Sequence, residues 1–336
     1  MENLFTRRAL CQIAGAAVAA VAAPTTDRLE ATAKKTAAKP QAAAAAPGPD
    51  KQKVRKAAAA ASGLAPSVVS VWHSGWKGPQ PWTGYPAAVR SRVNHVVLAI
   101  AQSSQAGTGR LFYFNRFGAN LASSIRSARA SGTNVLMGVG GSGAGGTITI
   151  TNATQADQAF DSIATFVKDY GINGIDLDLE PTWSHWTQEA LVRLCTRLKA
   201  AYGPKFLVGL TVALYEEHTA RWLGLAKALG SSYDYMAPML YDFPEANLPN
   251  FPAVCVDKCD VMAGGGVPAS KMILGFKVEN VTNASATWEQ TRDAYRACVA
   301  KYPSLRGAFG WQDETMAKRN WDWALGLGPR IRAAKG

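Results

Sequence analysis

Three acids stand at alternate positions in Gly174-Ile175-Asp176-Leu177-Asp178-Leu179-Glu180. The interleaved Ile175, Leu177 and Leu179 give a period of two, which belongs to a β-strand and not to a helix. That period sends Asp176, Asp178 and Glu180 to one face, about 7 Å apart. The segment is apolar on its other face and opens on a glycine, which predicts a strand buried on both sides. Carboxylates buried in a row repel one another and lose hydration, so they persist by sharing protons or by serving a site. The chemistry such a row can do is acid catalysis.

A row of acids needs a scaffold, and the rest of the chain supplies one in a countable rhythm. Apolar strand-like runs fall at 68–73, 95–101, 134–139, 174–180, 206–214, 235–241, 272–278 and 307–311. Helical stretches with apolar residues three to four apart lie between them, among them 156–170, 189–202 and 288–302. Eight strands with intervening helices over some 270 residues predict an α/β fold of the (β/α)8 TIM-barrel type. A doubly wound open sheet is the alternative, but no Gly-x-Gly-x-x-Gly follows the first strand. In a barrel, function sits where strands end at the C-terminal face. Glu180, just before Pro181, then occupies the mouth, with Asp178 and Asp176 successively deeper. Other strand ends bring Trp72-His73-Ser74-Gly75-Trp76, Met239-Leu240-Tyr241-Asp242 and Trp311-Gln312-Asp313-Glu314 to the same rim. Acids, a tyrosine and tryptophans around one cavity suit a sugar, whose ring faces stack on indoles while its hydroxyls need polar partners.

These residues carry a family resemblance. Asn173 to Glu180 resembles the DGxDxDxE motif of glycoside hydrolase family 18, the chitinases and endo-β-N-acetylglucosaminidases. Met239-Leu240-Tyr241-Asp242 resembles that family's Met-x-Tyr-Asp on strand six, and Trp311 its tryptophan at the end of strand eight. The resemblance spans the whole barrel. Three positions depart from the pattern: Asn173 replaces the first aspartate, Gly138-Val139-Gly140-Gly141 lacks the serine of a third-strand Ser-x-Gly-Gly, and Pro181 follows the glutamate where many relatives carry an aromatic.

The resemblance implies retaining, substrate-assisted hydrolysis of β-1,4-linked N-acetylglucosamine polymers. Glu180 is the implied general acid, with its pKa raised by neighbouring carboxylates and partial burial. Asp178 holds the substrate's acetamido N–H, Asp176 shares a proton beneath it, and Tyr241 holds the acetamido oxygen. The sugar-binding set is Asp242, Met239, Trp311 and Trp72. The short connection between strands seven and eight leaves no room for an inserted α+β domain, which predicts an open groove and endo-type cutting. Endo-β-N-acetylglucosaminidase action on N-glycans would use the same residues, and an inactive carbohydrate-binding barrel is a further alternative. Mg²⁺ or Ca²⁺ ligation by the three acids is disfavoured, because it leaves Tyr241 and Trp311 unexplained. His73, His95, His185 and His218 lack metal-ligand spacing, so no metal or cofactor is expected.

The first 65 residues are of another kind. Residues 1–23 read as an export signal, with basic Arg7-Arg8, an apolar run from Ile13 to Ala23 and a small-residue cleavage site at Ala20-Val21-Ala22. The paired arginines fit the twin-arginine route, and the 11-residue apolar run is too short to span a bilayer. Residues 24–65 are alanine, lysine and proline blocks without an aromatic, read as a disordered basic tether ahead of a catalytic barrel at 66–336. Half of the net charge of +12 lies before the barrel. The basic residues are not interleaved with aromatics, so no nucleic-acid partner is expected; a monomer is. Cys195, Cys255, Cys259 and Cys298 remain after the signal. Export permits one or two disulfides, and Cys255 and Cys259 are close enough to bridge across a loop.

Overall fold

A computed structural model of the chain describes residues 63–75, 80–103, 107–113, 117–141, 148–180, 185–214, 216–241, 250–277 and 286–333. The expected export signal and nearly all of the tether lie outside the described residues. Eight parallel strands form the centre: β1 (Val68–His73), β2 (His95–Ser103), β3 (Asn134–Gly140), β4 (Gly174–Leu179), β5 (Leu207–Val212), β6 (Tyr235–Pro238), β7 (Ile273–Lys277) and β8 (Gly307–Trp311). They are ordered β6-β5-β4-β3-β2-β1-β8-β7, and parallel bridges at Met236–Met272 and Met239–Gly275 join β6 to β7 and close the barrel. A two-residue strand, Leu111–Phe112, adds antiparallel to the end of β2.

Helices follow the strands in turn: α1 (Ala87–Arg90), α2 (Asn120–Ala130), α3 (Ala153–Tyr170), α4 (Gln188–Tyr202), α5 (Glu216–Leu229), α6 (Phe251–Gly264) and α7 (Trp288–Lys301), with α8 (Asp313–Lys318) and α9 (Asp322–Ala333) after β8. Helix α3 begins three residues before its apolar periodicity does, because the Asn152 side chain accepts from the Gln155 amide at 3.0 Å. Thr187 caps α4 in the same way, and Thr287 with Gln290 forms a capping box on α7. Between β7 and β8 α7 is the only helix among the described residues, as the absence of an inserted domain requires. None of the helices described is long and apolar enough to cross a membrane.

Strand alternation divides the buried residues into two layers. Val69, Val71, Val96, Leu98, Ile175, Leu177, Val208 and Leu210 point outward and pack under the helices. Val68, Trp72, Val97, Leu136, Leu207, Tyr235, Ile273 and Phe309 point inward and fill the barrel. Each fully buried aliphatic side chain contributes about 1.5–3 kcal/mol. The inner layer is fitted by setting aromatic rings over glycines of other strands. A methyl on Gly138 would lie 2.8 Å from Trp72 Cζ3, one on Gly209 2.2 Å from Tyr235 Cζ, and one on Gly275 2.2 Å from Phe309 Cζ.

The cysteines depart from expectation. Cys255 and Cys259 sit one turn apart on α6 and not across a loop; with Cys195 and Cys298 they are free and buried. Cys298 on α7 is in thiol hydrogen-bond contact with Cys259.

Candidate active site

Strand β4 carries the acids into the barrel as its period requires. Asp176 is 1% and Asp178 5% exposed, while Ile175 and Leu177 face the helices. Small residues flank both acids in register: Gly138 and Gly209 beside Asp176, Gly140 and Thr211 beside Asp178. A methyl on Gly140 would lie 2.1 Å from the Asp178 carbonyl oxygen, and Gly140 and Gly141 both adopt positive φ (+123° and +89°). That close approach lets the Gly141 amide donate to the Asp178 carbonyl at 2.9 Å. The amide of Glu180 turns back to the same carbonyl at 3.1 Å, so the ladder ends at Leu179 and not at Glu180. Glu180, half-buried, stands just past the strand at the C-terminal rim.

Burial and company make these carboxyls hard to ionise. The pKa of Asp176 is raised to about 6 by desolvation, against the opposing pull of the Tyr235 hydroxyl and of Thr211. Asp178 is raised well above the carboxylate range, first by burial, then by the charges of Glu180 and Asp176. Its Oδ1 is buried and has no hydrogen-bond partner among the described residues. A protonated Asp178 between two carboxylates is therefore the form the interior favours.

The other predicted residues gather around this column. Tyr241 is 7% exposed and packs with the barrel interior, together with Met239 and Trp311, which are partly buried. Met239 is fixed by its amide, which donates to the Val212 carbonyl at 2.9 Å. Trp311 meets Trp72 edge-on with ring centroids 5.6 Å apart. Trp72 itself is fully buried, so it supports the tryptophan at the rim from below. Asp242 lies outside the described residues. Two departures from the family pattern acquire a cause. The Trp72 ring fills the room a serine side chain at 138 would need. Asn173 accepts from the Val135 amide at 2.8 Å and donates to Asn134 Oδ1 at 2.8 Å, pinning the start of β4 to β3 with a donor that an aspartate lacks.

Sequence reasoning missed two features. Tyr235 donates a short hydrogen bond to Asp176 Oδ2; stepping back by twos from Tyr241 and Met239 places it on their inward face, which was the available signal. His73, at the end of β1, shares a 2.5 Å hydrogen bond with Asp313 at the start of α8. Asp313 also accepts from the Ser74 amide at 3.0 Å, and weakly from the Ser74 and Tyr85 hydroxyls. Nothing in the spacing of residues 240 apart could have paired them. Among the described residues no group of three or more His, Cys, Asp or Glu side chains could hold a metal ion.

A barrel with desolvated carboxyls at the end of one strand, an inward tyrosine and a tryptophan at the rim is the architecture of a glycoside hydrolase. The chain belongs to the glycosyl hydrolases family 18, whose family model matches residues 70–325. It is 36% identical over 85 residues to chitinase Chi52 of Paenibacillus xylanexedens and 35% identical over 86 residues to chitinase D of Niallia circulans. Each match covers 25% of this chain and only 16% of the relative's length. The fold is similar to that of a family 18 chitinase from Chromobacterium violaceum, with a TM-score of 0.66 and 19% identity over 80% of this chain and 84% of that one.

Proposed function

We propose that the chain is a retaining endo-hydrolase of β-1,4-linked N-acetylglucosamine polymers that uses the substrate's own acetamido group as nucleophile. The observation that carries this reading is Asp178, a buried carboxyl with an oxygen that has no partner among the described residues, raised above its ordinary pKa by burial and by the charges of Glu180 and Asp176. A proton retained at Asp178 gives it something to share with Asp176 at rest and with Glu180 when substrate arrives.

Glu180 donates its proton to the glycosidic oxygen as the bond to the anomeric carbon breaks, and the acetamido carbonyl oxygen attacks that carbon from the other face. Asp178 accepts the acetamido N–H and stabilises the positive charge of the resulting oxazolinium ion. Tyr241 holds the acetamido oxygen in line, and Trp311 lies under the ring. Glu180, now ionised, takes a proton from the incoming water, which attacks the anomeric carbon, returns the electron pair to the acetamido group and leaves the configuration retained. The short β7–β8 connection favours an open groove and internal cleavage.

Product analysis with the N-acetylglucosamine hexamer, beside a Glu180→Gln control, tests the reading. Dimers to tetramers from the native chain alone support it. Intact hexamer with both proteins, alongside released N-glycans from a glycoprotein, would move the substrate to N-linked glycans. Turnover by Glu180→Gln would overturn the acid's assignment.

A further inference from the structure

We infer that Tyr235 is a positioning residue of the acid column, whose hydroxyl fixes Asp176 as the carboxylate and so leaves the shared proton on Asp178. The inference rests on the proposed function for its catalytic meaning but on geometry for its content. Tyr235 is 1% exposed at the base of β6, and its hydroxyl donates to Asp176 Oδ2. Its ring occupies a slot that exists only because residue 209, in register with Asp176, is glycine: a methyl there would lie 2.4 Å from the Tyr235 oxygen. The ring is held from behind by His95, edge-on at 5.4 Å, and His95 is anchored by a 2.8 Å bond to Ser70. Burial keeps that imidazole neutral by lowering its pKa to about 3, so it brings no charge to compete for Asp176.

Among the described residues, the titratable groups facing the pair can be named. Asp178 and, above it, Glu180 face Asp176 along β4; His95 comes from β2; β3 and β5 present no titratable side chain there, only Gly138, Gly209 and Thr211. Asp234 acts on Tyr235 from the bottom of the barrel. With like charges above and an uncharged ring behind, the phenol is the strongest donor to Asp176, ahead of Thr211, and so biases which of the two aspartates is ionised. A hydrogen bond to the charged form favours that form. Asp176 therefore keeps the charge and Asp178 the proton, at the height in the column where Glu180 and the acetamido group can use it. The two carboxyls titrate as a pair, so Tyr235 sets the acid limb of the rate profile without touching substrate.

The test is a carboxyl ¹³C NMR titration of the Asp176 resonance, identified by its loss in Asp176→Asn, run beside the pH dependence of kcat/KM for hexamer cleavage. Tyr235→Phe should raise the Asp176 midpoint and the acid limb together, by about one pH unit, the size expected for a lost bond to an ionised acceptor. Site-specific 3-fluorotyrosine at position 235 keeps the ring and strengthens the donor, so both readings should move down. A purely packing role lowers activity at every pH and leaves the midpoint in place. Unmoved midpoints in both proteins would overturn the inference. Should Tyr235→Phe fail to fold, the fluorotyrosine protein decides alone. Should the native chain cleave no N-acetylglucosamine oligomer, the functional reading falls while the carboxyl titration still decides the role of Tyr235.

Discussion

Two sets of buried carboxylates stand in this barrel, and they are built to opposite ends. Asp313 and Asp176 are each 1% exposed, and Asp178 is 5% exposed. Asp313 is surrounded by donors: His73, the Ser74 amide and, at longer range, the Ser74 and Tyr85 hydroxyls. Asp178 has an oxygen without a partner among the described residues and two acids for neighbours. Equal burial therefore means different things. A carboxylate supplied with donors ties the first strand to the segment after the last. A carboxyl starved of them is pushed toward its neutral form, and native proteins tolerate such groups chiefly where function needs them.

The largest expected effect lies in the starved set. Glu180→Gln should lower kcat by about 10³-fold or more, in line with loss of a positioned general acid, with hexamer binding retained by calorimetry. Asp178→Asn should lower kcat by roughly 10²-fold while leaving thermal stability unchanged or slightly raised, because it removes a group whose charge the interior disfavours. A large fall in stability for Asp178→Asn would erase the contrast with Asp313.

That contrast was half legible in the sequence. Period two and a glycine start were enough to place Asp176 and Asp178 inside a barrel, since a one-residue slip of a doubly buried strand would put acids under the helices. The strand ends were less legible: β6 stops at Pro238, three residues short of the apolar run, because hydrophobicity marks burial and not ladder hydrogen bonds. The same alternation that placed Met239 and Tyr241 reaches Tyr235, but a tyrosine's partner depends on which strand lies across the barrel. The His73–Asp313 pair joins the two ends of the domain, and only closure of the barrel brings them together. Cys255 and Cys259 misled for a related reason: four-residue spacing fits a loop or one helical turn equally well.

In the well-supplied set the effect should fall on stability. Asp313→Ala leaves His73 Nδ1 and the Ser74 amide buried without their acceptor, at a cost of about 3 kcal/mol and roughly 10 °C in Tm for a domain of this size. Its kcat on hexamer at 25 °C should stay within a few-fold of native. A kcat loss as deep as that of Asp178→Asn would place Asp313 in the chemistry.

The pH dependence of stability sets the starved carboxyls against an exposed, arginine-paired one, Asp157. The folded pKa of Asp176, about 6, lies above the ordinary 3.8, so between those values the folded state binds more protons than the unfolded. Stability therefore falls as pH rises from about 4 to 6, by on the order of 3 kcal/mol for this group, and Asp178 acts in the same direction. Asp157, lowered to about 2 first by its bond to Arg193 and then by Arg197, contributes stability above pH 4 that is lost as pH falls toward 2. Urea unfolding at pH 4 and pH 7 should show the protein more stable at pH 4, and Asp176→Asn should flatten that slope. Equal stabilities in the native chain would mean that Asp176 titrates normally.

The smallest effect concerns the buried thiols, which sharpen the comparison because they too are titratable groups without a solvent path. Burial pushes Cys195 up to about 12, and Cys255 and Cys298 are raised well above the ordinary thiol range. The thiolate is the reactive form, so at pH 8 the folded barrel should show almost no labelling by a thiol reagent within minutes, whereas a denatured chain lacking residues 1–23 should label at four positions. Rapid native labelling of one cysteine would place it in a segment that opens readily. A denatured count below four would mean that Cys259 and Cys298, the pair already in contact across α6 and α7, had been oxidised. Unlike Asp178, a buried neutral thiol asks nothing of its surroundings, which is why burial there marks packing and not a site.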